Sequence, residues 1–292
     1  MDTNGVAGYR APSVRAAREQ VRCAVQDGPK RVTTGGASER PNMARLFDYY
    51  LGGAHNFAVD RVLAEESIAQ VPVAEIARTI RSFSRRVVRL CVEEYGIRQF
   101  LDLGSGIPTA GNVHEIAQAI DPSCSVVYVD HDPIAVAHAR TMLRDNLNAA
   151  IVQSDVSDVG AVLRDPETRR LIDFTKPTAV LMVGILPYVT EEPAGVVARY
   201  RAALCEGSIL ALTHLTKDVE PELVDKFVEM AHGVHTPLVP RSKQDVEEFL
   251  CGLRLLEPGL VLAANWRADG ELPSASAAAD ASTYGAVGIV GA

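Results

Sequence analysis

Five short runs dense in Val, Ile and Leu punctuate the chain: Gln99–Leu103, Ser125–Val129, Ala150–Val152, Ala179–Val183 and Ser208–Leu212. Most of the intervals between them carry helical spacing, as in Val113–Ile120, Pro133–Arg144 and Glu192–Leu204. Strands that are apolar almost throughout must be buried on both faces, and a parallel sheet wrapped by helices provides that environment. The alternation therefore predicts an α/β fold with a doubly wound sheet. Two further strand candidates, Leu253–Ala263 and Tyr284–Gly291, close the chain. Upstream, Val73–Gly96 sets Ile76, Ile80, Phe83, Val87 and Leu90 on one helical stripe, with Gly96 as its stop. Residues 1–40 show no sustained periodicity and read as a mobile extension, and Arg267–Ser282 reads as a loop.

With 292 residues the chain can bury a sizeable core, and a formal net charge of -8 argues against nonspecific attraction to nucleic acid or anionic membrane. Five dispersed cysteines without a CxxC pair suit a reducing compartment. The first twenty residues lack the apolar core of a secretion signal. The longest apolar run, Ala179–Val189, is short and contains a proline, so it reads as a strand and not a membrane span. The expected setting is cytoplasmic, and the oligomer is a monomer or homodimer.

The first apolar run leads into "FLDLGSGIPTAG", Phe100–Gly111. A strand, a glycine turn and a helix in that order form a nucleotide-type pocket at the carboxyl edge of a parallel sheet. Gly104, Ser105 and Gly106 let backbone approach a ligand where side chains would collide. A dinucleotide fingerprint needs a third glycine where Thr109 stands, and a carboxylate at Asp102 would repel a pyrophosphate. A sulfonium beside an ammonium would be attracted instead. The second strand ends in Asp130, suited to ribose hydroxyls. The third leads to Asp155 and Val156, suited to an adenine amino group and a ring nitrogen. The competing reading makes these acids caps of the following helices, most plainly Asp132 and Asp158.

These residues carry a resemblance. "RPNMARLFDYYLGGAHNFAVDR" (Arg40–Arg61), "RQFLDLGSGIPTAGNVHEIAQ" (Arg98–Gln118), "VVYVDHDPIAVAHAR" (Val126–Arg140), "RSKQDVEEFLCGLRLLEPGLV" (Arg241–Val261) and the final "YGAVGIVG" resemble class I S-adenosylmethionine-dependent methyltransferases. Within that class they resemble an actinobacterial S-adenosyl methyltransferase family formerly described as a domain of unknown function. The resemblance implies a Rossmann-like, seven-stranded, mostly parallel sheet whose last strand inserts antiparallel. It also implies S-adenosyl-L-methionine as donor and a methyltransferase domain over 97–292 preceded by a helical lid over 41–96. Two departures stand out: Pro187-Tyr188 where His-Phe is expected, and Ala54-His55 where Lys-Asp is expected.

In "PNMARLFDYYLGGAHNF", Met43, Phe47 and Tyr50 share a helical stripe ahead of Gly52-Gly53. The stretch suits a lid that excludes water from the donor, with plain helix packing and a local Arg45–Asp48 pair as the bland reading. Under the lid reading Arg45 reaches the donor's carboxylate and Asn56 its polar tail; His131 and Gly184 complete the donor-binding set. Base candidates for an acceptor that must lose a proton are His214, then Tyr188, then His55. His232 and His235 lie three apart without a third ligand nearby, and no metal site is expected. The expected function is methyl transfer to a small molecule in specialised metabolism. A donor-binding regulatory protein without turnover is the alternative.

Overall fold

Hydrophobic strand pairing dictates the centre of the molecule. The computed structural model describes residues 40–108, 111–232, 234, 237–268 and 276–291. The expected extension over 1–40 thus lies outside the described residues except for Arg40, as do Thr109, His235 and residues 269–275 of the Arg267–Ser282 loop. The end of that loop forms a short helix, Ala277–Asp280.

The strands are β1 (Gln99–Leu103), β2 (Ser125–Asp130), β3 (Ala149–Gln153), β4 (Ala179–Met182), β5 (Ile209–Leu215), β6 (Leu253–Leu255), β7 (Val261–Leu262) and β8 (Thr283–Val290). They pair in the order β3-β2-β1-β4-β5-β8-β6, with β7 also on β8. β1 to β5 run parallel, and β8 inserts antiparallel beside β5 over seven register pairs from Ile209–Ile289 to Leu215–Thr283. β6 and β7 lie end to end on the outer edge of β8, so the seventh position is one strand interrupted near Glu257-Pro258. The doubly wound sheet expected from the alternating pattern is observed, as is the antiparallel last strand that the resemblance implied.

Side chains alternate across a strand, and this sorts the core into two layers. Phe100, Val126, Tyr128, Leu181 and Ala211 join one layer with the long helix Val73–Glu93. Leu101, Leu103, Val127, Met182 and Leu212 join the other with Tyr200 and Phe249. Each fully buried Val, Leu or Phe contributes about 1.5–3 kcal/mol relative to exposure, so the sheet's interior supplies most of the stabilisation.

The chain winds outward from β1 to β3 and then returns to β4, which pairs with β1 on its other side. That reversal opens a crevice at the carboxyl ends of β1 and β4. Three helices precede β1: α1 (Met43–Tyr50), α2 (Ala58–Ile68) and α3 (Val73–Glu93). α3 buries Ile76, Phe83, Val87 and Leu90 along the expected stripe, and Gly96 follows with φ of 64°. It is therefore a sheet-covering helix. α1 buries Leu46 and Tyr50 in a third cluster with Val224 and Phe227 of the helix Pro221–His232. Among the described residues no helix is long and apolar enough to cross a membrane.

Candidate functional site

The crevice is built from the turn after β1. Gly104 takes φ of +70° and Gly106 φ of +65°, the left-handed region that favours glycine. A Cβ on Gly104 would stand 2.4 Å from the Ile185 side chain, so the turn packs directly on the loop after β4. Gly104 N donates to Val129 O at 2.8 Å and Gly106 N donates to Asp130 Oδ2 at 2.7 Å, which ties the turn to the end of β2. Asp132 N donates to Asp130 Oδ1 at 2.9 Å. The Asp130 carboxylate is thereby fixed, and each oxygen keeps lone-pair capacity for further donors.

Asp102 and Asp130 both line a cavity of about 200 Å³, together with Ser105, His131 and Gly184. Burial raises the Asp102 carboxyl, Arg81 opposes the rise and Asp130 adds to it, leaving it pushed up to about 7. Burial likewise raises Asp130, partly offset by its two backbone N–H donors. A second cavity of about 290 Å³ shares Gly104, Asp130, His131, Ile185 and Tyr188 with the first and continues past Asp155 and Val156. Together the two fall in the range of about 300–1,000 Å³ typical of small-ligand sites. Asp155 Oδ1 accepts from Ser157 N at 2.7 Å, and Val156 O accepts from Tyr200 OH at 3.0 Å, so both positions are braced.

An elongated cationic nucleoside suits this arrangement. Asp102 lines the first cavity, the fixed Asp130 at its junction with the second suits vicinal hydroxyls, and the second, lined in part by Val156, Ile185 and Val189, suits a base. The Ser105 hydroxyl is buried with no hydrogen-bond partner among the described residues, a group that a polar ligand would satisfy. The model for the S-adenosyl methyltransferase family matches residues 31–291. The chain belongs to that family. It is 35% identical to a candidate methyltransferase from Thermobifida fusca YX, covering 90% of this chain and 100% of that one at a TM-score of 0.82. A DUF574 family protein from Streptomyces avermitilis MA-4680 is 33% identical over 87% of this chain and 99% of that one, at a TM-score of 0.83. No curated protein matches the chain. As the family description implies, the methyl donor of this methyltransferase is S-adenosylmethionine.

Several residues expected at the site are engaged elsewhere. Arg45 is buried, its Nε donating to Asp60 Oδ2 at 2.6 Å and its guanidinium 4.9 Å from the Phe57 ring centroid. It does not line either cavity, and its carboxylate partner is Asp60 instead of the neighbouring Asp48. Asn56 is consumed by Asp48, Gly53 O and Arg61. His55 stands 40% exposed in its side chain, 5.0 Å from the His138 ring and outside both cavities.

His214, expected as the leading base, is corrected by strand parity. Thr213 faces the crevice, its Oγ1 accepting from Gly184 N at 2.8 Å, so His214 turns to the opposite face. There it is wholly buried beside Phe249, with Nδ1 against Leu215 O at 2.8 Å and Nε2 against Arg241 at 2.9 Å. Arginine can only donate, so Nε2 accepts and Nδ1–H donates, which fixes the neutral imidazole. Burial depresses it to about 4. Tyr188 does reach the site, ending a short turn Leu186–Tyr188 and lining both cavities. Burial and then Tyr50 push its phenol up, so it stands protonated with a hydroxyl that can donate a hydrogen bond.

Arg81, Asn42, Asp48 and Asp132 line the first cavity and were not assigned to it from sequence. Arg81 stands one residue past Ile80, off the apolar stripe of α3 that the sequence reveals, so the three-and-four spacing gives no signal for it.

Proposed function

We propose that this methyltransferase transfers a methyl group from S-adenosylmethionine to a small-molecule acceptor. The observation that carries the reading is the placement of Asp102 and Asp130 on one cavity that runs on to Asp155 and Val156. Bound there, the donor supplies an electrophilic methyl on a sulfonium. Asp102 would hold its ammonium, Asp130 its ribose hydroxyls, and Arg81 its carboxylate. The chain's further contribution is to orient and to exclude water. In this reading α1, whose Met43 and Phe47 line the cavity, serves as the lid within the 41–96 segment, while α3 lines the cavity with Ile80 and Arg81 and covers the sheet with Phe83 and Val87. Near-attack positioning of this kind is worth roughly 7–11 kcal/mol in well-aligned systems. With His214 on the far face, no imidazole base is needed by the reading; Tyr188 would orient the acceptor.

Calorimetric titration with S-adenosylhomocysteine, followed by transfer of a labelled methyl group to a panel of amines, phenols and thiols, tests the proposal. Binding in the low-micromolar range with one labelled product supports it. Absence of binding by folded protein rejects it, and binding with no labelled product across the panel favours a donor-binding protein without turnover.

A further inference from the structure

The stretch "RSKQDVEEFLCGLRLLEPGLV" (Arg241–Val261) contributes no residue to the two donor cavities, yet its first residue reaches their wall. Arg241 is pinned at the carboxyl end of β5. Its N donates to Leu215 O at 3.0 Å, its Nη1 to His214 Nε2 at 2.9 Å, and its guanidinium lies 5.6 Å from the Phe249 ring centroid. From that anchor the same guanidinium crosses to the turn after β4. Nη1 donates to Leu186 O at 3.3 Å and Nη2 to Val189 O at 3.0 Å. Two residues earlier, Val239 N donates to Pro187 O at 2.8 Å.

The turn has little else to hold its shape. Pro187 has no N–H, and the bonds that close the turn are Tyr188 N to Ile185 O at 2.9 Å and Val189 N to Leu186 O at 3.1 Å. The carbonyls of Leu186, Pro187 and Val189 all accept from residues 239–241. A guanidinium presents its donors in a fixed planar fork, so one side chain can span two carbonyls and an imidazole at once. What the turn carries is Tyr188, which lines both donor cavities. With Phe47 and Ile80, Tyr188 also lines a small third cavity that reaches Phe227 and Leu238.

We infer that Arg241 is a positioning residue: by clamping the Leu186–Val189 turn to the end of β5, it fixes Tyr188 at the wall of the donor site. Arg241 lines neither donor cavity and acts through Tyr188. The inference rests on the donor-cavity reading above.

It is tested on full-length protein labelled with 3-fluorotyrosine and observed by fluorine NMR, the Tyr188 line being the one lost in Tyr188→Ala. Arg241→Met keeps an apolar stem beside Phe249 and removes every side-chain donor. The Tyr188 line should then shift or broaden, while the lines of Tyr128 and Tyr200, one from each core layer, stay in place. Arg241→Lys, with one ammonium for two carbonyls, should give an intermediate shift. His214→Ala leaves both carbonyl bonds and should keep the wild-type Tyr188 line. An unmoved line in folded Arg241→Met, or an equal displacement in His214→Ala, overturns the inference. If Arg241→Met does not fold, Arg241→Lys decides, because an unmoved Tyr188 line there overturns it as well.

Calorimetry with S-adenosylhomocysteine reads the coupling. Arg241→Met should weaken binding fivefold or more in the wild-type background and less than twofold further in Tyr188→Ala, because effects that pass through one side chain do not add. Equal losses in both backgrounds would show that Arg241 does not act through Tyr188. Failure of S-adenosylhomocysteine to bind the wild-type protein would sink the donor-cavity reading, whereas the fluorine spectra of the free protein decide the clamp on their own.

Discussion

Asn42 Nδ2 donates to Asp132 Oδ2 at 2.5 Å, joining the residue that caps α1 to the residue that caps the helix Pro133–Met142. Each also serves its own helix: Asn42 Oδ1 accepts from Ala44 N at 2.8 Å, and Asp132 Oδ1 accepts from Ile134 N at 2.7 Å. Both line the first cavity, so one hydrogen bond fastens α1 across the donor site. Asn42→Ala removes the cap, about 1 kcal/mol, and the charged bond, about 1.5–3 kcal/mol. Asn42→Ser keeps the cap and loses the reach. Asn42→Ser should unfold at a temperature between those of wild type and Asn42→Ala, because it loses only the bond to Asp132, while stopped-flow dissociation of S-adenosylhomocysteine quickens. Unchanged dissociation would show that α1 is not a lid.

Asp102 gives the donor site a pH dependence. Its carboxyl is raised to about 7 by burial, so below that pH it is largely neutral and above it carries the charge an ammonium requires. Affinity for S-adenosylhomocysteine should therefore rise between pH 6 and 8 and level off above. Asp102→Asn should weaken binding about 10- to 150-fold, the equivalent of about 1.5–3 kcal/mol for a charged hydrogen bond, and flatten the profile. The same shift acts on stability with the opposite sense. A carboxyl raised in the folded state favours folding below its unfolded value, and that contribution is lost as pH rises to about 7. Calorimetry across the range reads the first effect and chemical denaturation the second.

His214 should matter to stability and not to the donor. Its imidazole is depressed to about 4, so the folded state resists a proton that the unfolded chain accepts near 6.5. The associated stability is complete above pH 6.5 and drains away as pH falls toward 4. His214→Ala takes from Arg241 its imidazole acceptor, leaving it only Leu186 O and Val189 O, and should cost about 1–3 kcal/mol. Urea midpoints should drop while affinity for S-adenosylhomocysteine holds within threefold. A larger loss of affinity would return His214 to the site.

The sequence was most informative where one physical rule acts locally. Apolar runs exposed β1 to β5, the α3 stripe emerged from its three-and-four spacing, and the glycine turn after Leu103 placed the crevice. His214 was misplaced because "LALTHL" is buried throughout, so no polar alternation shows which residue faces which layer. Arg45 was misplaced because its partner Asp60 belongs to another helix, and only tertiary packing prefers it over the adjacent Asp48. Arg81 is one of five arginines on α3, and the apolar spacing marks the sheet-covering face without showing which arginine meets the cavity.

Gly104 offers the sharpest test of the geometry. Two independent constraints exclude a side chain there: φ of +70° and the Ile185 side chain 2.4 Å from an added Cβ. The first costs an alanine about 1–2 kcal/mol. The second forces Ile185 away from the junction of both cavities, since it lines each. Gly104→Ala should therefore abolish detectable S-adenosylhomocysteine binding while the protein still folds, because the strain is local to the rim. Ile185→Ala relieves only the clash. The double variant Gly104→Ala with Ile185→Ala should thus regain part of the affinity lost by the single one, measured by calorimetry under the same conditions. Full tolerance of Gly104→Ala would mean that the turn after β1 does not approach the ligand.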